Sequence, residues 1–173
     1  INIKVTYKIN ENMNIKTLTL QLNDGDAGHI DIDLNGKHII NDLVLPVKYY
    51  ADEESIPYKE DSDFFVHVNE TNLAHFNTIP INPPFQGKKL TYPFMCMAFD
   101  ILKNIYKIEY VGLQDVSNIP NYYERLDFKQ IFDVSNLKYA HINNILAKCH
   151  TFVSNCMQGG YNYKKQNSYQ YKY

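Results

Sequence analysis

The stretch Ile79-Pro80-Ile81-Asn82-Pro83-Pro84-Phe85-Gln86-Gly87-Lys88-Lys89-Leu90-Thr91 decides the predicted fold, because it joins an apolar strand to a tight loop and then a helix. Backbone N–H groups converge in a loop of this kind, and the positive end of the helix lies beside them. The amides expected to converge here belong to Gly87, Lys88, Lys89, Leu90 and Thr91. The junction therefore predicts an anion site that suits a pyrophosphate; the alternative is a plain crossover that binds no ligand.

The start of the helix is marked by three residues in a row. Thr91 is a competent N-cap, and Pro93 stands in the first turn, where its missing N–H costs nothing. Apolar residues then recur at helical spacing as far as Ile105. The pattern predicts a helix over residues 91–104 with one face in the core.

A second segment, residues 118–128 with the sequence NIPNYYERLDF, completes a resemblance to a known family. Ile79, Ile81 and Pro83 match an L-x-V-x-P strand, Gln86 opens a loop of the type [QR]-x-x-G-x-[GA], and the later segment resembles Y-E-K-L-G-F. In this order, over roughly residues 28–132, the chain resembles the GNAT superfamily of N-acetyltransferases. It departs from the pattern at Lys89, Thr91 and Asp127, where the family has small residues.

The resemblance implies acetyl-coenzyme A (acetyl-CoA) as co-substrate and a primary amine as acceptor. It implies a cofactor-binding set made of Ile79, Ile81, Gln86, Gly87, Lys88, Lys89, Leu90, Thr91 and Asn118. It further implies that Tyr123 protonates the departing thiolate, with Tyr122 as the alternative one residue away. His75 is the preferred candidate for the general base, and Asn77, Asp42, His67 and Glu70 are the other candidates.

The predicted fold class is α+β, a GNAT-type mixed and mostly antiparallel sheet whose two central strands splay apart. Alternating residues predict strands at 3–9, 15–22, 29–34, 64–68, 72–81, 107–113 and 128–134. Asn35-Gly36 predicts a hairpin into a further strand at 37–47. There is no room for the two helices that the family usually places between its first two strands. A short helix is expected at 118–126.

The domain prediction is a single GNAT-like domain over residues 1–158 with an additional helix at 139–157, followed by a low-complexity Tyr/Asn/Lys tail at 159–173. The additional helix is a candidate interface for a homodimer or a neighbouring domain. The acid-rich stretch 51–61 is interpreted as a solvated loop; the alternative is a loop that holds a cationic acceptor.

The composition excludes several classes of function. With 173 residues, 45% apolar content and a net charge of -2, the chain has enough apolar residues for one core and no basic patch for nucleic acid. No apolar run approaches 18 residues, which predicts no membrane span and a cytoplasmic location. The three cysteines and six histidines lack ligand spacing, so we expect no metal, and the cysteines are expected to be reduced.

Two further expectations concern source and function. The richness in Asn, Ile, Lys and Tyr is typical of an AT-rich genome, such as that of a large DNA virus, a protist or a low-GC bacterium; for a viral protein the expected location is the host cytoplasm. The functional hypothesis is acetyl transfer to the amine of a small molecule or amino sugar. The alternatives are a catalytically degenerate binding module and an assembly module that uses helix 139–157.

Overall fold

The computed structural model describes residues 2–13, 15–23, 27–67, 72–77, 90–153, 158–164 and 168–172. The strands are β1 (Asn2–Asn12), β2 (Ile15–Leu22), β3 (Gly28–Asp33), β4 (Leu73–Phe76), β5 (Tyr110–Gln114), β6 (Lys129–Gln130), β7 (Leu137–His141), β8 (Gln158–Lys164) and β9 (Ser168–Lys172). The helices are α1 (Gly36–Glu53), α2 (Ser62–His67), α3 (Thr91–Asn104) and α4 (Ile142–Val153), with a short 3-10 helix at Glu124–Leu126. No helix in the described ranges has both the length and the apolar character needed to cross a bilayer.

All nine strands form one sheet in the order β6-β7-β5-β4-β3-β2-β1-β9-β8. Among the described strands, only β4 and β5 pair in parallel, and every other neighbouring pair is antiparallel. The α+β fold class and the mostly antiparallel sheet predicted from the sequence are therefore confirmed. Two helices, α1 and α2, stand between β3 and β4, where the sequence predicted none. The backbone of the predicted tail continues the sheet, because β9 pairs with β1 and β8 pairs with β9.

Helices cover both faces of the sheet centre. Alternate residues of β4 point to opposite faces, so Ala74 and Phe76 belong to the core on the α3 and α4 side, whereas Leu73 belongs to a smaller core under α1 and α2. Helix α3 is buried over almost its whole circumference, with Phe94 and Phe99 fully enclosed. Each phenylalanine buried in this way contributes about 2 kcal/mol of transfer free energy.

The predicted hairpin at Asn35-Gly36 is wrong, because α1 begins at Gly36. The apolar residues that follow are spaced three and four apart, and Ile40 and Val44 pack on the sheet as a helical stripe. The strand expected at 64–68 is likewise the helix α2. Short apolar runs fit either period, and the tertiary contacts select the helix here.

Four later predictions also need correction. Residues 118–123 form turns rather than helix, because Asn118 and Asn121 adopt positive φ angles of 55° and 60°. The expected strand at 128–134 is reduced to β6, and the predicted 139–157 helix starts only at Ile142 because residues 139–141 belong to β7. The cysteines are not all reduced, since Cys96 of α3 and Cys149 of α4 form a disulfide.

The start of α1 lies directly against the backbone of β4. A Cβ atom added to Gly36 would come within 2.3 Å of the His75 amide nitrogen and 2.5 Å of the Ala74 carbonyl carbon. Backbone atoms on a central strand cannot move aside as a flexible side chain can. Glycine at this position therefore sets how closely α1 approaches the sheet.

We predict that Gly36→Ala lowers the free energy of unfolding by about 2 kcal/mol or more, because overpacking against fixed backbone forces the helix away from the strand. Urea denaturation measures the change. The matched control is Asn41→Ala, an exposed site on the same helix, which should shift stability by less than about 0.5 kcal/mol. Equal effects of the two substitutions would contradict the close approach.

Candidate functional site

The described part of the parallel β4–β5 pairing covers four residue pairs, from Leu73 and Tyr110 to Phe76 and Leu113. At its carboxyl end each strand also bonds its outer neighbour. The Asn77 N–H donates to the Asp31 carbonyl of β3 at 3.0 Å, and the Asp115 N–H donates to the Asn136 carbonyl just before β7 at 2.8 Å. Residues 78–89 lie outside the described ranges, so the splay of the two strands stays a prediction.

Helix α3 has Leu90 at its N-cap position, so the prediction of Thr91 as the N-cap is wrong. Among the described residues no N-cap side chain bonds the first N–H groups, and the first turn carries no acidic residue. The first amides of a helix lack partners within the helix, so this end presents partial positive charge. Thr91 and Leu90 of the predicted anion site lie here. The other loop and strand members, Ile79, Ile81, Gln86, Gly87, Lys88 and Lys89, are outside the described residues.

The tyrosine pair after β5 docks on the start of α3. The Tyr92 hydroxyl donates to the Tyr122 carbonyl oxygen at 2.7 Å, and the Tyr122 side chain hydrogen-bonds Thr91. The ring of Tyr123 packs edge-on against the rings of Tyr122 and Phe128, at centroid distances of 4.9 and 5.7 Å. The structure therefore places Tyr122 directly on the start of α3, with Tyr123 packed between Tyr122 and Phe128.

Tyr123 is buried, with only 5% of the residue exposed. Burial raises the pKa of its phenol well above the usual range, and Tyr122 and Asp115 raise it further. The hydroxyl is therefore protonated at physiological pH, and it is a weaker acid than an exposed tyrosine.

A buried lysine holds this tyrosine segment in place. The Lys138 ammonium of β7 lies 2.6 Å from Asp115, just beyond β5, and 2.5 Å from Glu124, which follows Tyr123. Burial alone would raise the pKa of Asp115, but hydrogen bonds from Lys138 and Ser117 outweigh it and hold that pKa below its usual value. The ion triad therefore links the end of β5 to both sides of the tyrosine pair, and sequence reasoning missed it because residues 115, 124 and 138 are distant in the chain.

His75 lies on β4, directly opposite Asp33 of β3, and is 6% exposed. Burial lowers the pKa of its imidazole, and the nearby Asp33 carboxylate only partly opposes this. Its Nδ1 atom is buried and has no hydrogen-bond partner among the described residues. An unpaired buried nitrogen costs about 1–3 kcal/mol, and such atoms call for an explanation that includes catalysis.

His75 and Tyr123 point to opposite faces of the sheet. Gly112 is the register partner of His75, and a Cβ on Gly112 would contact Ile40 of α1, which places His75 on the α1 side. Tyr123 packs in the core on the α3 side. The sheet thus separates the two predicted catalytic residues.

A row of polar side chains extends from His75 across β3 and β2, and we call Asp31, Asp33 and Asn77 the acidic strand face. The Thr19 hydroxyl donates to Asp31 at 2.7 Å, and the Asn77 amide donates to Asp33 at 3.3 Å. Sequence reasoning overlooked these carboxylates. The signal was the alternation of His29, Asp31 and Asp33, which puts three polar residues on one face of a strand.

The remaining candidates lie elsewhere. Asn118 is exposed in the turn after β5, Asp42 is exposed on α1, and His67 stacks on Tyr110 at the far end of β5. Glu70 is outside the described residues. In the acid-rich stretch, Asp61 accepts the amides that begin α2 and Glu60 pairs with Lys48, so both serve local structure. Within the described ranges, no group of three or more His, Cys, Asp or Glu side chains could hold a metal ion.

Comparison with known proteins gives structural similarities only. No protein-family model and no curated protein sequence matches the chain. A structure described as a bacterial toxin has 14% identity and a TM-score of 0.47, covering 78% of this chain and 72% of its own. FeeM, an N-acyl amino acid synthase from uncultured soil microbes, has 16% identity and a TM-score of 0.45 over 82% of this chain and 79% of its own. A mutant AtaT toxin bound to the C-terminus of the antitoxin AtaR and acetyl-CoA has 9% identity and a TM-score of 0.44 over 82% of this chain and 95% of its own.

We predict that Lys138→Met lowers the free energy of unfolding by about 3 kcal/mol, because it leaves the Asp115 and Glu124 carboxylates together without their cation. Urea denaturation followed by circular dichroism measures the loss. The matched control is Lys148→Met at an exposed site of α4, where a change within about 0.5 kcal/mol is expected. A similarly small loss for Lys138→Met would mean that the triad does not stabilise the fold.

Proposed function

We propose that the chain is an acetyl-CoA-dependent N-acetyltransferase that transfers the acetyl group directly to a primary amine of a small molecule or amino sugar. The observation that carries the proposal is the parallel β4–β5 pair connected by α3, whose first turn contacts the tyrosine pair after β5 through the bond from the Tyr92 hydroxyl to the Tyr122 carbonyl. The sequence resemblance to the GNAT superfamily supports the same assignment.

The described residues fit the proposed co-substrate at one end. The first amides of α3 suit a pyrophosphate, since Leu90 supplies no capping side chain and the first turn has no acidic residue. An extended pantetheine chain would pair with the backbone of β5 beyond Leu113, the last residue described as paired with β4. Acetyl-CoA supplies the thioester carbonyl that the amine attacks.

Direct transfer forms one C–N bond and breaks one C–S bond, with no acyl-enzyme. The amine must lose a proton, because only its free form is a nucleophile, and a neutral His75 is in the right state to accept that proton. The departing thiolate takes a proton from the Tyr123 hydroxyl, which solvent then restores. In this scheme the acceptor approaches from the α1 face and the thioester from the α3 face.

The acidic strand face favours a cationic acceptor. Asp31 and Asp33 lie on the same side of the sheet as His75, and α1 packs on β4 and β5 rather than on β2 or β3. Carboxylates attract an ammonium ion toward the base that deprotonates it. The preference for a primary amine thus rests on residues 31, 33 and 75 together.

The second candidate function is a degenerate or assembly module that uses the C-terminal helix as its interface. The described part of α4 gives it little support, since Ile142, Ile145 and Cys149 pack within the core on the α3 side. The departures at Lys89, Thr91 and Asp127 remain the features that favour loss of catalysis. Asp127 adopts the left-handed conformation, with φ 72° and ψ 16°, that glycine would take without strain.

The binding step is tested by thermal denaturation with millimolar acetyl-CoA, coenzyme A or ATP. We predict that acetyl-CoA raises the melting temperature by several degrees, because a ligand at 100 times its dissociation constant stabilises the native state by about 2.7 kcal/mol. Coenzyme A should act similarly and ATP much less. An equal shift with all three would indicate non-specific phosphate binding, and no shift with any of them would remove the donor site.

The chemical step is tested by a pair of neighbouring substitutions. We predict that Tyr123→Phe lowers kcat by about 100-fold or more without weakening acetyl-CoA binding, because it removes only the proton donor. Tyr122→Phe, the matched control, loses a hydrogen bond to Thr91 and should change kcat by much less. Steady-state kinetics on an amine found by screening, with binding checked by calorimetry, decides between them; the reverse pattern would assign the role to Tyr122.

A further inference from the structure

An apolar groove lies between the second half of α1, the loop that follows it and the turn between β6 and β7. Its volume is about 300 Å³, and its lining residues are Pro46, Val47, Tyr50, Ala51, Ile56 and Val134. None of these described lining residues is charged, and none is assigned to acetyl transfer. The groove is therefore separate from the proposed acetyltransferase site.

Two rows of α1 side chains form one side of the groove. Pro46 and Tyr50 are four residues apart, as are Val47 and Ala51, so the members of each pair are neighbours on the helix surface. Ala51 is buried and Val47 is half-buried, whereas Tyr50 is 63% exposed. Val47 and Ala51 thus form the base of the groove, and Pro46 and Tyr50 form its outer wall.

The opposite side of the groove is held in place by hydrogen bonds. The Ile56 N–H donates to the Ala51 carbonyl at 2.8 Å, which fixes Ile56 beside the end of α1. The Asp133 N–H donates to the Lys59 carbonyl at 3.1 Å, and the Lys59 N–H donates to the Asp133 carboxylate at 2.8 Å. Val134 follows this double bond directly. A partner would therefore meet a preformed groove, and docking would require little ordering of this chain.

The apolar surface continues from the groove across the outer side of α1. Leu45 and Tyr49 are 66% and 69% exposed, and they are four residues apart on the helix. Tyr49 is also three residues from Pro46, so it joins Leu45 to the groove. Contiguous exposed apolar residues of this kind mark interaction sites, whereas scattered ones do not. The α1 apolar surface comprises Leu45, Pro46, Tyr49, Tyr50, Ile56 and Val134.

Negative charge surrounds the α1 apolar surface. Residues 42–61 carry six acidic and two basic side chains, a net charge of -4 in a chain whose total is -2. Asp42 lies one helical turn before Pro46, and Glu53 and Glu54 lie one turn after Tyr50, all at exposed positions. A partner whose apolar side chains enter the groove would therefore meet carboxylates at both ends of it.

Two further features add to this negative potential. Lys48 of α1 pairs with Glu60 at 3.2 Å, and its ammonium lies 4.9 Å from the centre of the Phe65 ring. Its charge is thus already matched by a carboxylate. Pro46 has no N–H, so the Asp42 carbonyl lacks the helical donor four residues further on. A cationic side chain of a partner would be a suitable donor to that carbonyl.

We propose that the α1 apolar surface binds a basic amphipathic helix of a partner protein. The apolar side chains of that helix would fill the groove, and its lysines or arginines would meet the surrounding carboxylates. The stretch of α1 from Asp42 to Glu53 is about 17 Å long, which matches a partner helix of about three turns. Two copies of this chain would bring like charges together across a symmetric contact, and an anionic lipid surface would be repelled.

The test uses two synthetic peptides of about 14 residues, roughly four helical turns. Both carry leucines spaced three and four apart; the other positions are lysine in one peptide and glutamate in the other. Each is labelled with a dye and titrated with the unmodified protein, and fluorescence anisotropy measures binding. We expect a micromolar dissociation constant for the lysine peptide that rises with added salt, and at least about tenfold weaker binding of the glutamate peptide. Equal affinities, or no saturable binding of the lysine peptide up to roughly 500 μM protein, overturn the proposal.

A matched pair of substitutions locates the bound peptide. Ile56→Ala removes an apolar contact in the groove and should weaken binding of the lysine peptide about fivefold or more. Ile15→Ala, at an exposed site of β2, should change it by less than about twofold. Tyr50→Ala, at a more exposed position, repeats the test if thermal denaturation shows that Ile56→Ala is unfolded. Unchanged affinity in the folded groove variants would mean that the peptide binds elsewhere, and the proposal would fail.

Two controls without peptide examine the other occupants. Analytical ultracentrifugation should give the same oligomeric state for the unmodified protein and for Tyr50→Ala. A dimer that Tyr50→Ala dissociates would assign the surface to a second copy, and cosedimentation with phosphatidylcholine vesicles that Tyr50→Ala abolishes would assign it to a membrane. Either result overturns the proposal, and neither depends on acetyl-CoA binding.

Discussion

The parallel pairing of β4 with β5 is the constraint on which the rest of the architecture depends. Among the described strands it is the only parallel contact, and it requires a crossover, which α3 supplies by returning the chain over one face. The start of the crossover helix therefore lies on the side of the carboxyl ends of two central strands. Ligands in sheets with parallel strands bind at such positions, since backbone groups and a helix dipole meet there.

Lys138 fixes the tyrosine segment at this end of the sheet by pairing with Asp115 and Glu124. Its ammonium loses much of its hydration on burial, and that loss is tolerated because two carboxylates accept its hydrogen bonds. One carboxylate belongs to the end of β5 and the other to the turn after Tyr123. The tyrosine segment contains two residues with positive φ and little regular structure, so its position depends on contacts of this kind. The ion triad supplies one such contact through Glu124, and the Tyr92 hydroxyl of α3 supplies another by donating to the Tyr122 carbonyl oxygen.

Strong local signals made much of this fold predictable from sequence. Helix α3 has a first-turn proline and a helical apolar period, and both of its ends were predicted to the residue. Strand β2 alternates polar and apolar residues from Thr17 to Leu22, and its bounds were also predicted correctly. Helix α1 was missed because Asn35-Gly36 is a turn signal whose glycine actually permits close packing on β4. The Cys96–Cys149 disulfide and the Lys138 triad join distant parts of the chain, and no local pattern carries that information. Of the predicted site, Leu90 and Thr91 stand at the start of α3 and Tyr122 bonds to Thr91, whereas His75 lies on the other face of the sheet.

The placement of His75 and Tyr123 on opposite faces of the sheet bears on the proposed direct transfer between two substrates. In the proposed reaction, a base that takes a proton from the amine must be neutral and an acid that donates to the thiolate must be protonated. Burial lowers the pKa of His75 and raises that of Tyr123, so each group is in the state that its proposed role requires, although the same shifts make them a weaker base and a weaker acid. The carboxylates of the acidic strand face lie on the side of His75, where a cationic amine would arrive, and away from the start of α3. In the proposed function, two substrates of opposite charge would therefore approach from opposite faces of the sheet.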